Sequence, residues 1–249
     1  MHPLPPHLLI PNWPAPRWVR AGSTSRIGGL SSGVFASLNL GDHVGDDPAL
    51  VAGNRSRLQA MTQMPAAPAW LQQVHGVEVL DLANWQGQVV KADASVTSNP
   101  NQVCIVMTAD CLPVLFCCTQ TRQVAAAHAG WRGLCDGVLE QTLAHFPDAN
   151  SVMAWLGPCI GPTAFEVGDE VRAQFMQHDP ATSVAFQPTS SPGKWLADLT
   201  LLAKHRLSQA GVHAVYSAER CTYRDTEHFF SYRREGQTGR MATYIWIES

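Results

Sequence analysis

Three short segments are apolar almost without interruption: 103–107 (VCIVM), 113–118 (PVLFCC) and 124–127 (VAAA). A strand with one wet face alternates apolar and polar side chains, so a run without alternation needs cover on both faces. The runs predict buried strands, although a buried helical segment carries a similar pattern. Three other segments carry a helical spacing. Residues 137–146 place Val138, Leu139, Leu143 and Phe146 at three- and four-residue steps. Residues 198–210 place Leu199, Leu202, Ala203 and Leu207 on one stripe, with Gly211 just beyond as a stop. Residues 167–177 form a third candidate. Strands alternate with helices and some strands are spaced for hairpins, which predicts a mixed α/β (α+β) fold. We expect a single domain over residues 1–249, with 1–16 as a proline-rich lead-in and 188–193 as a loop.

Composition removes several function classes. The 249 residues carry a formal net charge of -3, and the only adjacent basic pair is Arg233 and Arg234. No field or patch is present to hold a nucleic acid. No stretch approaches the ~20 apolar residues of a membrane span. Hydrophobic residues make up 45% and charged residues 15%, which argues against disorder. The seven cysteines are an odd number, and the start of the chain lacks the apolar core of a secretory signal. The expectation is reduced thiols in a cytoplasmic protein.

Three segments hold residues suited to chemistry: 72–76 (QQVHG), 108–113 (TADCLP) and 128–133 (HAGWRG). Each places a ligand-type side chain, His75, Cys111 or His128, where a strand is expected to end. One thiolate and two imidazoles suit zinc and leave a fourth position open, as catalytic zinc requires. Spacing alone leaves a second reading standing, because no CxxC or HExxH pattern is present. In that reading Cys111 is a buried thiol and His75 and His128 are turn histidines.

Other residues divide in the same way. Asp110 either orients a group at the metal or caps its own turn. Asp93 either supports a ligand histidine or serves a turn. Arg26, in SRIGG, either grips an oxyanion or ties down its loop. Asn39 either reaches a ribose hydroxyl or fixes the turn after Leu38. Arg132 either meets an anionic substrate or forms an ion pair. Arg233 or Arg234 faces a pocket, without a signal for which. Arg55 reads as an ion-pair residue and Trp131 as packing. Glu166 and Asp198 have no spacing argument behind them.

The segments STSRIGGLS, SLNLGDHVGDDP, QQVHG, ADASVT, TADCLPVLF, HAGWRGL, GPCIGPTAFEVG and FFSYRREGQTGR follow one another from near residue 20 to near the end. Together they resemble the YfiH-type purine nucleoside phosphorylase family, also known as laccase-domain or polyphenol oxidase proteins. The resemblance implies that His75, Cys111 and His128 are metal ligands. It implies a layered sandwich of mixed sheets flanked by helices. It also implies purine nucleosides and phosphate as partners: phosphorolysis of adenosine, inosine and methylthioadenosine, with adenosine deamination as well. Two further activities are attached to the resemblance. A copper-dependent polyphenol oxidase is one, yet the chain has no His-x-His pair, and copper would have to use the same three ligands. A cysteine hydrolase editing peptidoglycan precursors is the other, with Cys111 as nucleophile and a histidine as base.

Overall fold

The computed structural model describes residues 8–249, so the expected lead-in at 1–7 lies outside the described residues. Leu8–Leu9 already pairs with Ser23 and Thr24 as a short edge strand. The lead-in therefore joins a sheet before residue 16.

The three apolar runs are strands, Val103–Thr108, Leu112–Cys118 and Gln123–Ala129. Two sheets share them. A four-stranded sheet runs in the order Leu8–Leu9, Val19–Thr24, Met241–Ile247, Val103–Thr108. A six-stranded sheet runs Ala214–Ser217, Val152–Leu156, Leu112–Cys118, Gln123–Ala129, Ala94–Thr97, Val79–Asp81. The turn between Thr108 and Leu112 thus carries the chain from one sheet to the other. The next connection, after Cys118, is a hairpin within the larger sheet. The larger sheet is mixed, with its 214–217 and 79–81 edge strands parallel to their neighbours and the centre antiparallel.

The period of two explains why these strands carry no polar face. Along 112–118, Val114, Phe116 and Cys118 point to one side, into a core shared with Leu134, Leu139, Phe175 and Leu202 from helices. Leu115 and Cys117 point to the other side, into a core shared with Cys104, Val106, Ile245 and Ile247 of the smaller sheet. The smaller sheet repeats the pattern. Its opposite face, with Ile105, Ala242, Tyr244 and Trp246, packs on Leu38, Leu40 and Leu58. The order of layers is helix, small sheet, large sheet, helices, in agreement with the mixed α/β expectation.

Helix boundaries follow local chemistry. Pro48–Thr62 starts at Asp47, whose carboxylate accepts from the Ala49 N–H, and ends at Gln63 in the left-handed region. The expected helix over 137–146 is the shorter Val138–Leu143, and Gly137 at φ 103° separates it from a preceding helix, Trp131–Asp136, that lies outside the expected range. The expected helix at 198–210 is Leu199–Gln209, capped by Asp198 through the Leu201 N–H. Asp198 is therefore a helix cap. The third is Asp169–His178, with Val167 and Gly168 ending a strand, Glu166–Gly168, of a small three-stranded sheet. The 188–193 loop is a hairpin turn in that sheet. Among the described residues no helix is long and apolar enough to cross a membrane.

Candidate metal centre

The antiparallel pairing of Leu112–Cys118 with Gln123–Ala129 sets Leu112 opposite Ala129 and Pro113 opposite His128. The register brings Cys111, just before one strand, beside His128, near the end of the other. The adjoining strand places Ala94 opposite Ala127, so Asp93 lies next to His128. The third ligand comes from a loop with no strand of its own. His75 has φ 60°, a left-handed backbone, and three successive N–H groups of that loop converge on Asp93. Val74 and Gly76 donate to Oδ2 at 3.1 and 2.7 Å, and His75 donates to Oδ1 at 2.9 Å. Gln73 pins the same loop to Met107, both accepting its N–H and donating to its carbonyl at 2.7 Å.

His75, Cys111 and His128 each offer a ligand atom, and the three atoms lie within 4.8 Å of one another. Cys111 Sγ is 3.7 Å from His75 Nε2. A tetrahedral zinc with bonds of about 2.3 Å to sulfur and 2.05 Å to nitrogen sets an S···N edge of roughly 3.5 Å. The donor set fits such an ion. The second group of ligand-type residues among the described ones, Cys135, Asp136 and His178, has a single histidine.

Asp93 is the support for this centre. Its carboxylate is fully buried and meets His128 Nδ1 at 2.7 Å. The contact fixes Nδ1 as the protonated nitrogen and leaves Nε2 to face the cavity. Burial disfavours the Asp93 charge, but the bond from His128 and the loop N–H groups hold its carboxyl below the usual range. Burial likewise opposes a thiolate at Cys111. The charge of His128 and hydrogen bonds from both histidines outweigh it and bring the thiol down to about 6. His128 moves the other way. Burial disfavours its charge, but Cys111 and Asp93 raise it to about 9. The two shifts are reciprocal, each group favouring the charged form of the other.

Two glycines make room for the ligands. A Cβ at Gly130 would stand 2.7 Å from His75 Cδ2 and 3.0 Å from Cys111 Sγ. A Cβ at Gly133 would stand 2.8 Å from the Gly76 carbonyl.

The three candidate ligands line a cavity of about 410 Å³. Its other walls include His43, Gln73, Tyr232 and Arg240. The remaining residues singled out from the sequence do other work. Asp110, at φ 92°, is not in the cavity wall, and its buried carboxylate accepts from the Thr222 and Ser231 hydroxyls and the Arg233 N–H at 2.6, 3.0 and 2.7 Å. Arg26 donates to the Ala36 carbonyl and pairs with Glu235 at 3.0 Å, which ties its loop down. Asn39 is fully buried and bonds both Gly41 and the Arg240 N–H, so no ribose reaches it. Arg132 lies over Trp131, has no carboxylate partner among the described residues and is not part of the cavity wall. Arg233 donates to the Glu166 carbonyl and lies over Phe165. Arg55 pairs with Asp42 at 3.3 Å, as an ion-pair residue should. Sequence reasoning missed His43, Tyr232 and Arg240. The last two sit in the FFSYRREGQTGR segment, and the signal there pointed at the arginine pair instead.

The fold and the cavity define a class: two-sheet sandwiches that present one thiolate and two imidazoles to an open pocket. The chain belongs to the multi-copper polyphenol oxidoreductase laccase family, whose model matches residues 20–248. It is 53% identical over 241 residues to the Escherichia coli K12 protein named purine nucleoside phosphorylase YfiH, covering 96% of this chain and 98% of that one. A Neisseria meningitidis crystal structure superposes with a TM-score of 0.94 at 46% identity, covering 98% of this chain and 100% of that one. YlmD from Geobacillus stearothermophilus superposes at 0.85 with 33% identity, covering 94% of each chain.

Proposed function

We propose that the chain is a zinc-dependent purine nucleoside phosphorylase acting on adenosine, inosine and methylthioadenosine, with adenosine deamination as a second activity. The observation that carries this reading is the convergence of His75, Cys111 and His128 on one open cavity, in a chain 53% identical to a protein named for that activity. A bound zinc supplies a Lewis acid and a fixed positive charge at the cavity floor. The protein's own part is to hold that floor rigid. Asp93 fixes His128 and the His75 loop together, and Gly130 lets both ligands approach.

The cavity then positions the two substrates. Phosphorolysis forms a bond from a phosphate oxygen to C1′ and breaks the bond from C1′ to the purine nitrogen, whose electron pair leaves with the base. Tyr232 is 59% exposed at the cavity, and its ring offers a face for a purine while its hydroxyl remains a hydrogen-bond donor.

The test is metal content together with phosphate-dependent adenine release from adenosine, on the wild type and on Cys111→Ala. About one zinc per chain, as a single three-ligand site holds, with both zinc and adenine release lost in the variant, supports the reading. A metal-free wild type that cleaves amides overturns it.

One observation favours a second reading. The thiolate of Cys111, the raised His128 and the Asp93 behind it have the arrangement of a cysteine hydrolase. In that case chelation leaves activity untouched and alkylation of Cys111 abolishes it. Copper oxidation has less behind it. The second ligand group brings only one histidine, and electron transfer among several coppers needs more imidazoles than the cavity presents.

A further inference from the structure

We infer that Arg240 is the phosphate subsite of this cavity, gripping two oxygens of inorganic phosphate with its Nε–Nη2 edge; the inference rests on the phosphorolysis reading. Arg240 lies just before the strand Met241–Ile247 and lines the cavity together with His75, Cys111 and His128. Its position is set by contacts that include no ion pair: its guanidinium carbon lies 5.9 Å from the Tyr232 ring centre, and Cys111 and Asp110 bear on its charge only through space. The backbone N–H donates to Asn39 Oδ1 at 2.9 Å. The guanidinium donates from Nη1 alone, to the Thr238 and Gly239 carbonyls at 2.9 and 3.1 Å. Gly41 gives the stem its place, since a Cβ there would stand 2.7 Å from Arg240 Cγ.

Among the described residues, Nε and Nη2 of Arg240 have no hydrogen-bond partner and no carboxylate lies within ion-pair reach. The neighbouring cations differ. Arg55 pairs with Asp42 and lies 4.1 Å over Trp70. Arg26 and Arg234 share Glu235. A guanidinium that is oriented, partly desolvated and unpaired is poorly stable until an anion fills the space before it. Its free edge has two parallel N–H vectors, the geometry that meets two oxygens of a phosphate. The metal ligands lie in the same cavity, so an anion held by Arg240 stands beside the sugar of a nucleoside placed there. That is where a phosphate oxygen must be to form its bond to C1′ as the bond to the purine breaks.

The experiment uses the zinc-loaded full chain and inorganic phosphate as the probe. Binding is followed without nucleoside, by phosphorus NMR line broadening or calorimetry, for the wild type, Arg240→Met and Arg240→Lys, with zinc content measured on each. The expected result is saturable phosphate binding by the wild type. It should weaken about 30-fold or more in Arg240→Met, the scale of removing one partner of a desolvated charge pair. It should weaken less in Arg240→Lys, which keeps the charge and loses the fork. In turnover the KM for phosphate should rise by a similar factor while the KM for adenosine moves less than about threefold. If Arg240→Met loses zinc or unfolds, Arg240→Lys decides. Unchanged phosphate affinity in a zinc-loaded variant, or equal loss of both substrates, overturns the inference. A wild type that binds phosphate through Arg240 but releases no adenine leaves the inference standing and removes the phosphorylase reading.

Discussion

Replacing Asp93 by asparagine keeps the shape of the side chain and removes its charge. The carboxylate now accepts four hydrogen bonds: His75 N–H and His128 Nδ1 on one oxygen, Val74 N–H and Gly76 N–H on the other. An asparagine has one acceptor oxygen, so either orientation of its amide sets an NH2 against two donors. Each stranded donor in a site this buried costs about 1–3 kcal/mol, so the variant should lose about 2–6 kcal/mol of stability. Domains of this size hold roughly 5–15 kcal/mol, so a folded but weakened protein is expected. The metal should suffer as well. The His128 ring loses its charged partner and the His75 loop loses its anchor, and such changes lower metal affinity by about 10–100-fold. Urea unfolding of the metal-free protein gives the first quantity, and competition with a chelator of known affinity gives the second. Stability within about 0.5 kcal/mol of wild type, with unchanged zinc affinity, would refute the assignment of Asp93 as the support of both histidines.

Other substitutions and conditions probe the same geometry. Gly130→Ala adds one methyl group at φ -63°, which any residue adopts, directly against His75 and Cys111. Zinc content should fall while the far-ultraviolet spectrum is retained, and full zinc occupancy would show that the ligands yield. In the metal-free protein, alkylation of Cys111 by iodoacetamide should rise with pH through about 6 and level off above it. An ordinary thiol reaches its plateau only above about 8.5. Zinc should suppress the reaction, and a rate still rising at pH 9 would refute the thiolate. Asp110→Ala strands the Thr222 and Ser231 hydroxyls and the Arg233 N–H. At the same cost per stranded donor it should lose about 3–9 kcal/mol in urea unfolding, with a smaller effect on zinc content than Asp93→Asn; the reverse ranking on zinc would mean that Asp110 serves the metal.

The strands were legible because two-sided burial leaves a mark at each position. The runs at 103–107, 113–118 and 124–127 differ from the strands Val103–Thr108, Leu112–Cys118 and Gln123–Ala129 by only one or two residues at an end. What those runs could not show is that the first belongs to a different sheet from the others. Sheet membership depends on partners more than a hundred residues away, such as Met241–Ile247 beside Val103–Thr108. The helix expected over 137–146 is present as Val138–Leu143; its earlier end and the separate helix Trp131–Asp136 before Gly137 are boundaries set by backbone angles, which have no periodic signature. The ligand-type residues could be picked out by type. Their gathering could not, since it comes from strand register and from Asp93 meeting a loop eighteen residues before it. Asp110 and Asp93 carried the same two readings in sequence, support for a metal site or service to a turn, although only Asp110 lies inside a candidate ligand segment. The chain separates them only by which residues face each carboxylate in the folded state.

The central place of Met241–Ile247 in the smaller sheet has a consequence for how the protein is made. This strand fills the gap between Val19–Thr24 and Val103–Thr108, and the Cys111 turn is braced through Asp110 by Ser231 and Arg233. A ribosome-bound chain that has emerged only as far as residue 200 already carries His75, Cys111, His128 and the Asp93 contacts that join the two histidines, but it lacks the segment that braces the Cys111 turn through Asp110. The rigidity of the Cys111 side of the centre is therefore acquired only when the last segment of the chain folds onto the sheets, after synthesis has passed residue 231.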